Sequence, residues 1–175
     1  MTNVLKKFGA ILMAIMSLFS LMLFASCDGN STTVMGTGGT SSTENSTEKI
    51  TTFYETVVES QKCMDDVADD IYRYWYDAIY KDKYYGSIDL AIAYAQDDNK
   101  ENLAKIEENE PIIQALYKEV RDSDLSVEIK AVMSAYSDYY EFVVNVSGSF
   151  NSYSASKETL KKELASALKD LALEI

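Results

Sequence analysis

Four aspartates lie close together in the run DDVADD, residues 65–70. In a helix, Asp65 lies one turn from Asp69 and Asp66 lies one turn from Asp70, so each pair repels unless a cation binds beside it. The run lacks the glycine turn and the alternating ligands of a calcium loop. We therefore predict an acidic surface in contact with solvent, and an enzyme that uses these aspartates is the alternative.

Residues suited to nucleophilic catalysis are scarce. Ser154 and Lys157 have the Ser-x-x-Lys spacing of penicillin-binding enzymes, but no Lys-Thr-Gly follows, and we expect Ser154 to be the N-cap of a helix. The chain has no histidine, so the commonest general base and the nitrogen ligand that zinc favours are both missing. We expect no catalytic residue, no metal site and no cofactor.

An aromatic stretch follows the aspartates: IYRYWYDAIYKDKYY, residues 71–85, contains seven tyrosine or tryptophan residues. These side chains combine an apolar ring with a polar group, so they could form a surface on which sugar rings or a partner's side chains stack. The alternative is that they fill the core and its edges. The candidate binding residues are Tyr72, Trp75, Tyr76 and Tyr80, because they lie away from the apolar stripe of their helix.

A basic pair, Lys6 and Lys7, precedes an apolar run over residues 8–25 that ends in small residues. This order is typical of a secretory signal peptide. The run also approaches the length of about 20 residues that crosses a bilayer, so an uncleaved membrane-spanning helix is the alternative.

Phe24, Ala25, Ser26 and Cys27 end the apolar run. They resemble the lipobox of bacterial lipoproteins, in which an aliphatic residue and two small residues precede a cysteine; Phe24 stands where leucine is commonest. The resemblance implies that the thiol of Cys27 carries a diacylglyceryl group, and that a dedicated peptidase recognises residues 24–26 and cuts before Cys27. The lipid would hold the protein at the cell membrane, facing the extracytoplasmic side. Cys63 would remain as a free thiol, packed as a small hydrophobic residue.

Charge constrains the partners of the mature chain. Without residues 1–26, 14 basic residues face 28 acidic ones, which gives a net charge of −14. Such a surface repels phosphate groups and anionic lipids, so we expect no nucleic acid partner and no direct adsorption to a membrane. Residues 27–47 are rich in Gly, Ser and Thr, which predicts a flexible tether between the lipidated cysteine and a folded domain over residues 48–175.

Apolar residues in the domain recur at steps of three and four, which is the spacing of helices. Gly86, the polar run 121–124 and the run 147–154 separate four such stripes, and Pro111 is expected to kink or restart the second. The stripes predict an all-α fold, an antiparallel bundle of about four amphipathic helices. Their members are Phe53, Val57, Met64, Val67, Ile71, Tyr74 and Ala78; then Ile88, Ile92, Ala95, Leu103, Ile106, Ile113, Tyr117 and Val120; then Leu125, Ile129, Val132, Tyr136, Tyr139, Val143 and Val146; and finally Leu160, Leu164, Ala167, Leu168, Leu171 and Ile175.

These features together predict a membrane-anchored surface lipoprotein with an acidic helical domain. We expect that domain to act as a binding, adaptor or accessory module of the cell envelope, with an envelope protein or the cell wall as its partner. Two alternatives remain open: a lipoprotein that binds a small ligand or cell-wall glycan, and an envelope enzyme that uses the aspartates.

Overall fold

The computed structural model describes residues 41–175, with side chains from residue 46 onward. Five α-helices and one short 3-10 turn account for nearly all of this part of the chain, and it contains no strand. The helices are α1 (Ser41–Tyr80), α2 (Ile88–Asp98), α3 (Lys100–Val120), α4 (Ser126–Val144) and α5 (Phe150–Ala172), and the 3-10 turn is Lys83–Gly86. The prediction of an all-α bundle is confirmed.

Helix α1 is the central element, since it contacts every other helix. Its 40 residues give it a length of about 60 Å. Helix α3 runs antiparallel to α1, because Lys49 near the start of α1 pairs with Glu119 near the end of α3, at 2.8 Å between Nζ and Oε2. At the other end, Asn99, just before α3, donates to the carboxylate of Asp70 at 2.8 Å.

Helices α4 and α5 pack against the same central helix. Lys157 in the second turn of α5 pairs with Asp69, and Lys161 one turn later pairs with Asp65. This order shows that α5 is antiparallel to α1. The ring of Phe142 near the end of α4 stacks on that of Tyr153 near the start of α5, with centroids 4.6 Å apart, as expected for neighbouring helices joined by a short connection.

The core consists of the predicted stripes, with few exceptions. Val57, Ile106, Ile129 and Leu164, one from each stripe, are fully buried. Ile88 and Ile175, at the ends of their stripes, are exposed. The other large, fully buried apolar or aromatic side chains are Phe53, Met64, Ile71, Ile113, Tyr136, Tyr139, Tyr153 and Leu171.

The second stripe is broken at Asn99, so the expectation that a helix restarts at Pro111 is wrong, while a kink at Pro111 stays a prediction. Asn99 is buried, and its side-chain amide donates to Asp70 and to the carbonyl of Ala95, which ends α2 and allows α3 to begin at the next residue. Pro111 lies inside α3. Proline deprives the carbonyl four residues earlier of its partner, but residues 107 and 111 are both exposed, so water can replace the lost hydrogen bond.

Helix α5 begins earlier than expected, at Phe150. Ser149 is its N-cap: the hydroxyl of Ser149 accepts from the backbone N–H of Ser152, and the hydroxyl of Ser152 accepts from the backbone N–H of Ser149. Ser154, the expected N-cap, lies inside the helix. Because both end donors are satisfied by this reciprocal pair, the helix starts four residues before Ser154.

The N-terminal predictions fall largely outside the described residues. The structure does not describe the predicted signal peptide or the lipobox-like residues Phe24, Ala25, Ser26 and Cys27. Helix α1 begins at Ser41, within the segment 27–47 for which the sequence predicts a flexible tether. The remainder of that segment, residues 27–40, also lies outside the described residues.

Candidate functional site

Three of the four predicted binding residues surround one further aromatic residue, Phe150. The ring of Tyr72 stacks on Phe150 with centroids 5.1 Å apart, and the rings of Tyr76 and Tyr80 lie 6.2 and 6.1 Å from it. Tyr76 and Tyr80 also contact each other, at 4.7 Å between centroids. We call Tyr72, Tyr76, Tyr80 and Phe150 the aromatic surface.

Helix geometry places the tyrosines of the aromatic surface in a row. Positions 72, 76 and 80 are four residues apart, so their side chains follow one another along one side of α1. Tyr76 is 38% exposed and Tyr80 is 61% exposed, whereas Tyr72 and Phe150 are half-buried. The two exposed rings are therefore the part of this surface that a partner can reach.

Trp75 is not on this surface, so its prediction as an exposed binding residue is wrong. It is 4% exposed and packs against Tyr153 and Phe150, at 5.5 and 6.1 Å between ring centroids. The first turn of α5 covers that side of α1. Tyr74, predicted for the core, is instead half-buried on another side of α1, where its hydroxyl donates to Asp98 and its ring stacks on Tyr84.

Phe150 is the residue that the sequence interpretation missed. It lies in the run SGSFNSYS, which the sequence predicts to be a connection between helices, with a functional loop at one end of the bundle as the alternative. The signal was present: Ser149 and Ser152 have the spacing of a capping box, which would have placed Phe150 at the first helical position. Its contact with α1, however, depends on how two helices far apart in sequence pack.

Two lysines make cation–π contacts with rings of the aromatic surface. The ammonium of Lys157 lies 4.7 Å from the ring centroid of Tyr72, and that of Lys81 lies 5.5 Å from that of Tyr76. Lys81 and Lys83 both pair with the carboxylate of Asp77 at 2.7 Å, and these hydrogen bonds lower the pKa of Asp77 and raise that of Lys81. Both groups of the Lys81–Asp77 pair therefore stay charged around neutral pH.

The aspartate run forms the predicted solvated surface only in part: Asp66 and Asp69 are exposed, whereas Asp65 and Asp70 are half-buried. Asp65 accepts from the hydroxyl of Tyr139 at 2.8 Å and pairs with Lys161 at 3.2 Å. Asp69 pairs with Lys157 at 2.5 Å and with Lys161 at 3.5 Å. These aspartates connect α1 to α4 and α5.

The remaining two aspartates of the run differ from each other. Asp70 accepts from Arg73 at 2.6 Å and from Asn99 at 2.8 Å, which ties α1 to the break between α2 and α3. Asp66 is the exposed member of its pair. Because Asp66 and Asp70 have different surroundings, they form no common site.

The electrostatics of Asp69 do not suit a proton donor. Burial alone would raise the pKa of its carboxyl group, but the hydrogen bond and charge of Lys157, helped by Lys161, outweigh burial and lower that pKa. Within residues 46–175, no group of three or more His, Cys, Asp or Glu side chains is arranged to hold a metal ion.

A shallow groove of about 350 Å³ opens between α2 and the end of α4. Its size is that of a small-ligand site, but its lining contains no aromatic ring, so it is separate from the aromatic surface. The residues that line it are Asp89, Ile92, Ala93, Gln96, Val144, Asn145 and Val146. Cys63 lies elsewhere, half-buried against the core, and burial raises the pKa of its thiol.

No protein-family model, curated protein or solved structure matches this chain. None of the helices within residues 41–175 is long and apolar enough to cross a membrane.

Proposed function

We propose that this protein is a lipid-anchored protein of the bacterial cell envelope, and that its acidic helical domain binds a partner through the aromatic surface. One observation carries the binding proposal. Tyr76 and Tyr80 are exposed while their rings are held in place by Phe150 and by each other. Exposed aromatic residues on a rigid support are typical of the energetic centres of protein interfaces.

The fixed position of these rings supports binding because it reduces the entropy cost of forming a complex. Tyr72 stacks on Phe150 and lies beneath the ammonium of Lys157, which Asp69 holds in turn. Side chains already ordered before binding lose little freedom when a partner arrives. A tyrosine ring also offers a partner both apolar area and a hydroxyl group.

The anchor is proposed from the lipobox resemblance of residues 24–27. The basic pair and apolar run before Cys27 support export, and two acyl chains on one cysteine would supply the two signals that stable anchoring needs. The domain is then expected on the extracytoplasmic side. An envelope protein is the partner we favour over a wall glycan, because the aromatic surface is an open row of rings rather than a concave pocket.

The anchor is tested by metabolic labelling with radioactive palmitate. We expect label on the wild type and on Cys63→Ala, because only Cys27 follows the lipobox-like residues. Cys27→Ala should carry none. Equal labelling of Cys27→Ala and Cys63→Ala would refute the lipid anchor.

Binding is tested by photo-crosslinking in cells from positions 76 and 80. We expect these positions to capture one specific protein, while the exposed positions Val127 on α4 and Tyr94 on α2 do not. The double variant Tyr76→Ser, Tyr80→Ser should reduce co-purification of that protein without unfolding the domain, since both rings are exposed. Capture of wall glycan would replace the protein partner with a glycan, and equal capture from position 127 would contradict a dedicated surface.

A further inference from the structure

Three helices place polar side chains among the apolar residues of the core. Ser60 on α1 and Tyr136 on α4 are fully buried. Glu110 lies four residues after the buried Ile106, on the core-facing side of α3, and is half-buried. Polar groups inside a bundle are normally satisfied by hydrogen bonds, so the partners of these three residues need to be identified.

Helix α3 brings Glu110 to the level of Ser60. Asn109, which precedes Glu110, donates from its side-chain amide to the carboxylate of Glu59 at 3.1 Å. Because Glu59 precedes Ser60, positions 60 and 110 lie within one turn of each other along the two helices. The Oε1 atom of Glu110 accepts from Gln114 at 3.0 Å, whereas its Oε2 atom is buried.

Helix α4 brings Tyr136 to the same level. It runs in the same direction as α1, since both are antiparallel to α5, and the hydroxyl of Tyr139 donates to Asp65 at 2.8 Å. Tyr136 lies one turn before Tyr139, and therefore beside the turn of α1 that contains Ser60. Its hydroxyl is close enough to two neighbours for both to act on its pKa, which burial and Glu110 raise and Ser60 lowers.

Three polar atoms at this level have no partner in the described part of the chain. They are the hydroxyl oxygens of Ser60 and Tyr136 and the Oε2 atom of Glu110; all are buried, and none makes a hydrogen bond within residues 46–175. We call these three residues the buried polar cluster. A buried polar atom without a hydrogen bond destabilises the fold, because the bond that it made to water in the unfolded chain is not replaced.

We infer that the buried polar cluster binds one water molecule, which connects α1, α3 and α4. A buried water commonly makes about three hydrogen bonds to polar groups that are otherwise unsatisfied. It can accept from the hydroxyls of Ser60 and Tyr136 and donate to the Oε2 atom of Glu110, so all three atoms are satisfied at once. The raised pKa of Tyr136 keeps its hydroxyl protonated and able to donate around neutral pH.

The chemistry of the cluster favours water over a metal ion. Hard cations such as Ca²⁺ take roughly six to eight oxygen ligands, many of them carboxylates. Here one carboxylate oxygen and two neutral hydroxyls converge, and the other oxygen of Glu110 is already bonded to Gln114. The site is also separate from the aromatic surface, because Ser60 lies about 18 Å along α1 from Tyr72.

The water is tested directly by a crystal structure of the full-length chain, purified in detergent, at a resolution that shows ordered waters. We expect one density peak at about 2.7–3.2 Å from the Ser60 hydroxyl, the Tyr136 hydroxyl and the Glu110 Oε2 atom. A direct hydrogen bond between Tyr136 and Glu110, with no peak between the helices, would overturn the inference. An anomalous signal at the peak after soaking with rubidium would also overturn it, in favour of a monovalent cation.

Urea unfolding of the same chain tests the water in solution. Ser60→Ala and Tyr136→Phe should each lower the urea midpoint, and the double variant should lose at most about two thirds of the sum of the single losses, because both hydroxyls bind one shared water. In the matched control, Ser60→Ala with Tyr153→Phe, the losses should add, since the hydroxyl of Tyr153 bonds instead to the carbonyl of Ala68.

The sign of the Ser60→Ala effect is decisive. If no water were bound, the hydroxyl of Ser60 would be an unsatisfied group, and its removal would leave the urea midpoint unchanged or raise it. That result, or additive losses for Ser60→Ala and Tyr136→Phe, would contradict the bound water. Palmitate labelling and capture from positions 76 and 80 do not depend on this site, so the proposed function and this inference fail in distinguishable ways.

Discussion

Replacement of Lys157 by methionine tests whether the aspartate run acts as a structural connection. Methionine has a similar length, so Lys157→Met removes the ammonium group and keeps most of the apolar contact. The lost interactions are the 2.5 Å pair with Asp69 and the contact with the ring of Tyr72. Lys157 is buried, with a side chain that is 9% exposed, whereas the side chain of Asp69 is 53% exposed.

These exposures set the expected size of the effect. A pair with one partner half exposed contributes about 0.5–1 kcal/mol, and the cation–π contact adds about 0.5–1 kcal/mol. The penalty of about 3–5 kcal/mol for breaking a fully buried pair does not apply, since Asp69 remains hydrated and keeps Lys161 at 3.5 Å. We therefore expect Lys157→Met to lower the free energy of unfolding by about 1–2 kcal/mol.

The difference in the free energy of unfolding between the wild type and Lys157→Met should also depend on pH. The pKa of Asp69 in the folded protein lies below its ordinary value of 3.8, so its ionised form adds stability that is fully present above that value. This contribution is lost as the pH falls through the lower folded pKa. The gap between wild type and Lys157→Met should therefore be largest near about pH 7 and should narrow in strong acid, at about pH 2.

The assay is urea unfolding followed by circular dichroism at both pH values. Lys162→Met is the matched control, because Lys162 lies on the same helix and is exposed; it should change the free energy of unfolding by less than about 0.5 kcal/mol. If Lys157→Met were as stable as the wild type near neutral pH, or if its deficit in the free energy of unfolding did not narrow in acid, the structural role of the Lys157–Asp69 pair would be refuted.

Two further substitutions test the helix start and the buried tyrosines. Gly148 has a φ of 91°, and a Cβ there would lie 2.8 Å from the hydroxyl of Ser152, so Gly148→Ala should cost about 1–3 kcal/mol. The loss should exceed that of Gly86→Ala, where the nearest atom is 3.6 Å away; an equal loss in urea unfolding would contradict the capping account. Tyr139→Phe removes the 2.8 Å bond to Asp65 and should cost about 1 kcal/mol, more than Tyr153→Phe, whose bond to the carbonyl of Ala68 is 3.3 Å long.

The sequence predicts most of the bundle because burial follows helical spacing. Phe53, Val57, Met64, Val67 and Ile71 form one stripe on α1, and all five are buried. The errors lie at helix ends, where hydrogen bonds of polar side chains decide which residue begins or ends a helix. Asn99 ends α2 through bonds of its side-chain amide, and the serines before Phe150 fix the start of α5.

The sequence predicts only part of the aromatic surface, because spacing along one helix does not reveal the contacts that another helix makes with it. Positions 72, 76 and 80 share one side of α1 by spacing alone. Trp75 is only one residue away from Tyr76, and periodicity does not reveal that the first turn of α5 covers it. Phe150 joins the surface from 70 to 78 positions away in the sequence.

The amino-acid sequence by itself determines the helices, their order and the side of each that becomes core, because periodic apolar residues can be buried only on one face of a helix. The tertiary structure alone decides which polar and aromatic groups meet. Asp65 meets Tyr139 from 74 positions away, and Asp69 meets Lys157 from 88 positions away. A local pattern predicts which side of a helix is covered, but the residues that cover it belong to another helix, and their positions follow from how the whole bundle packs.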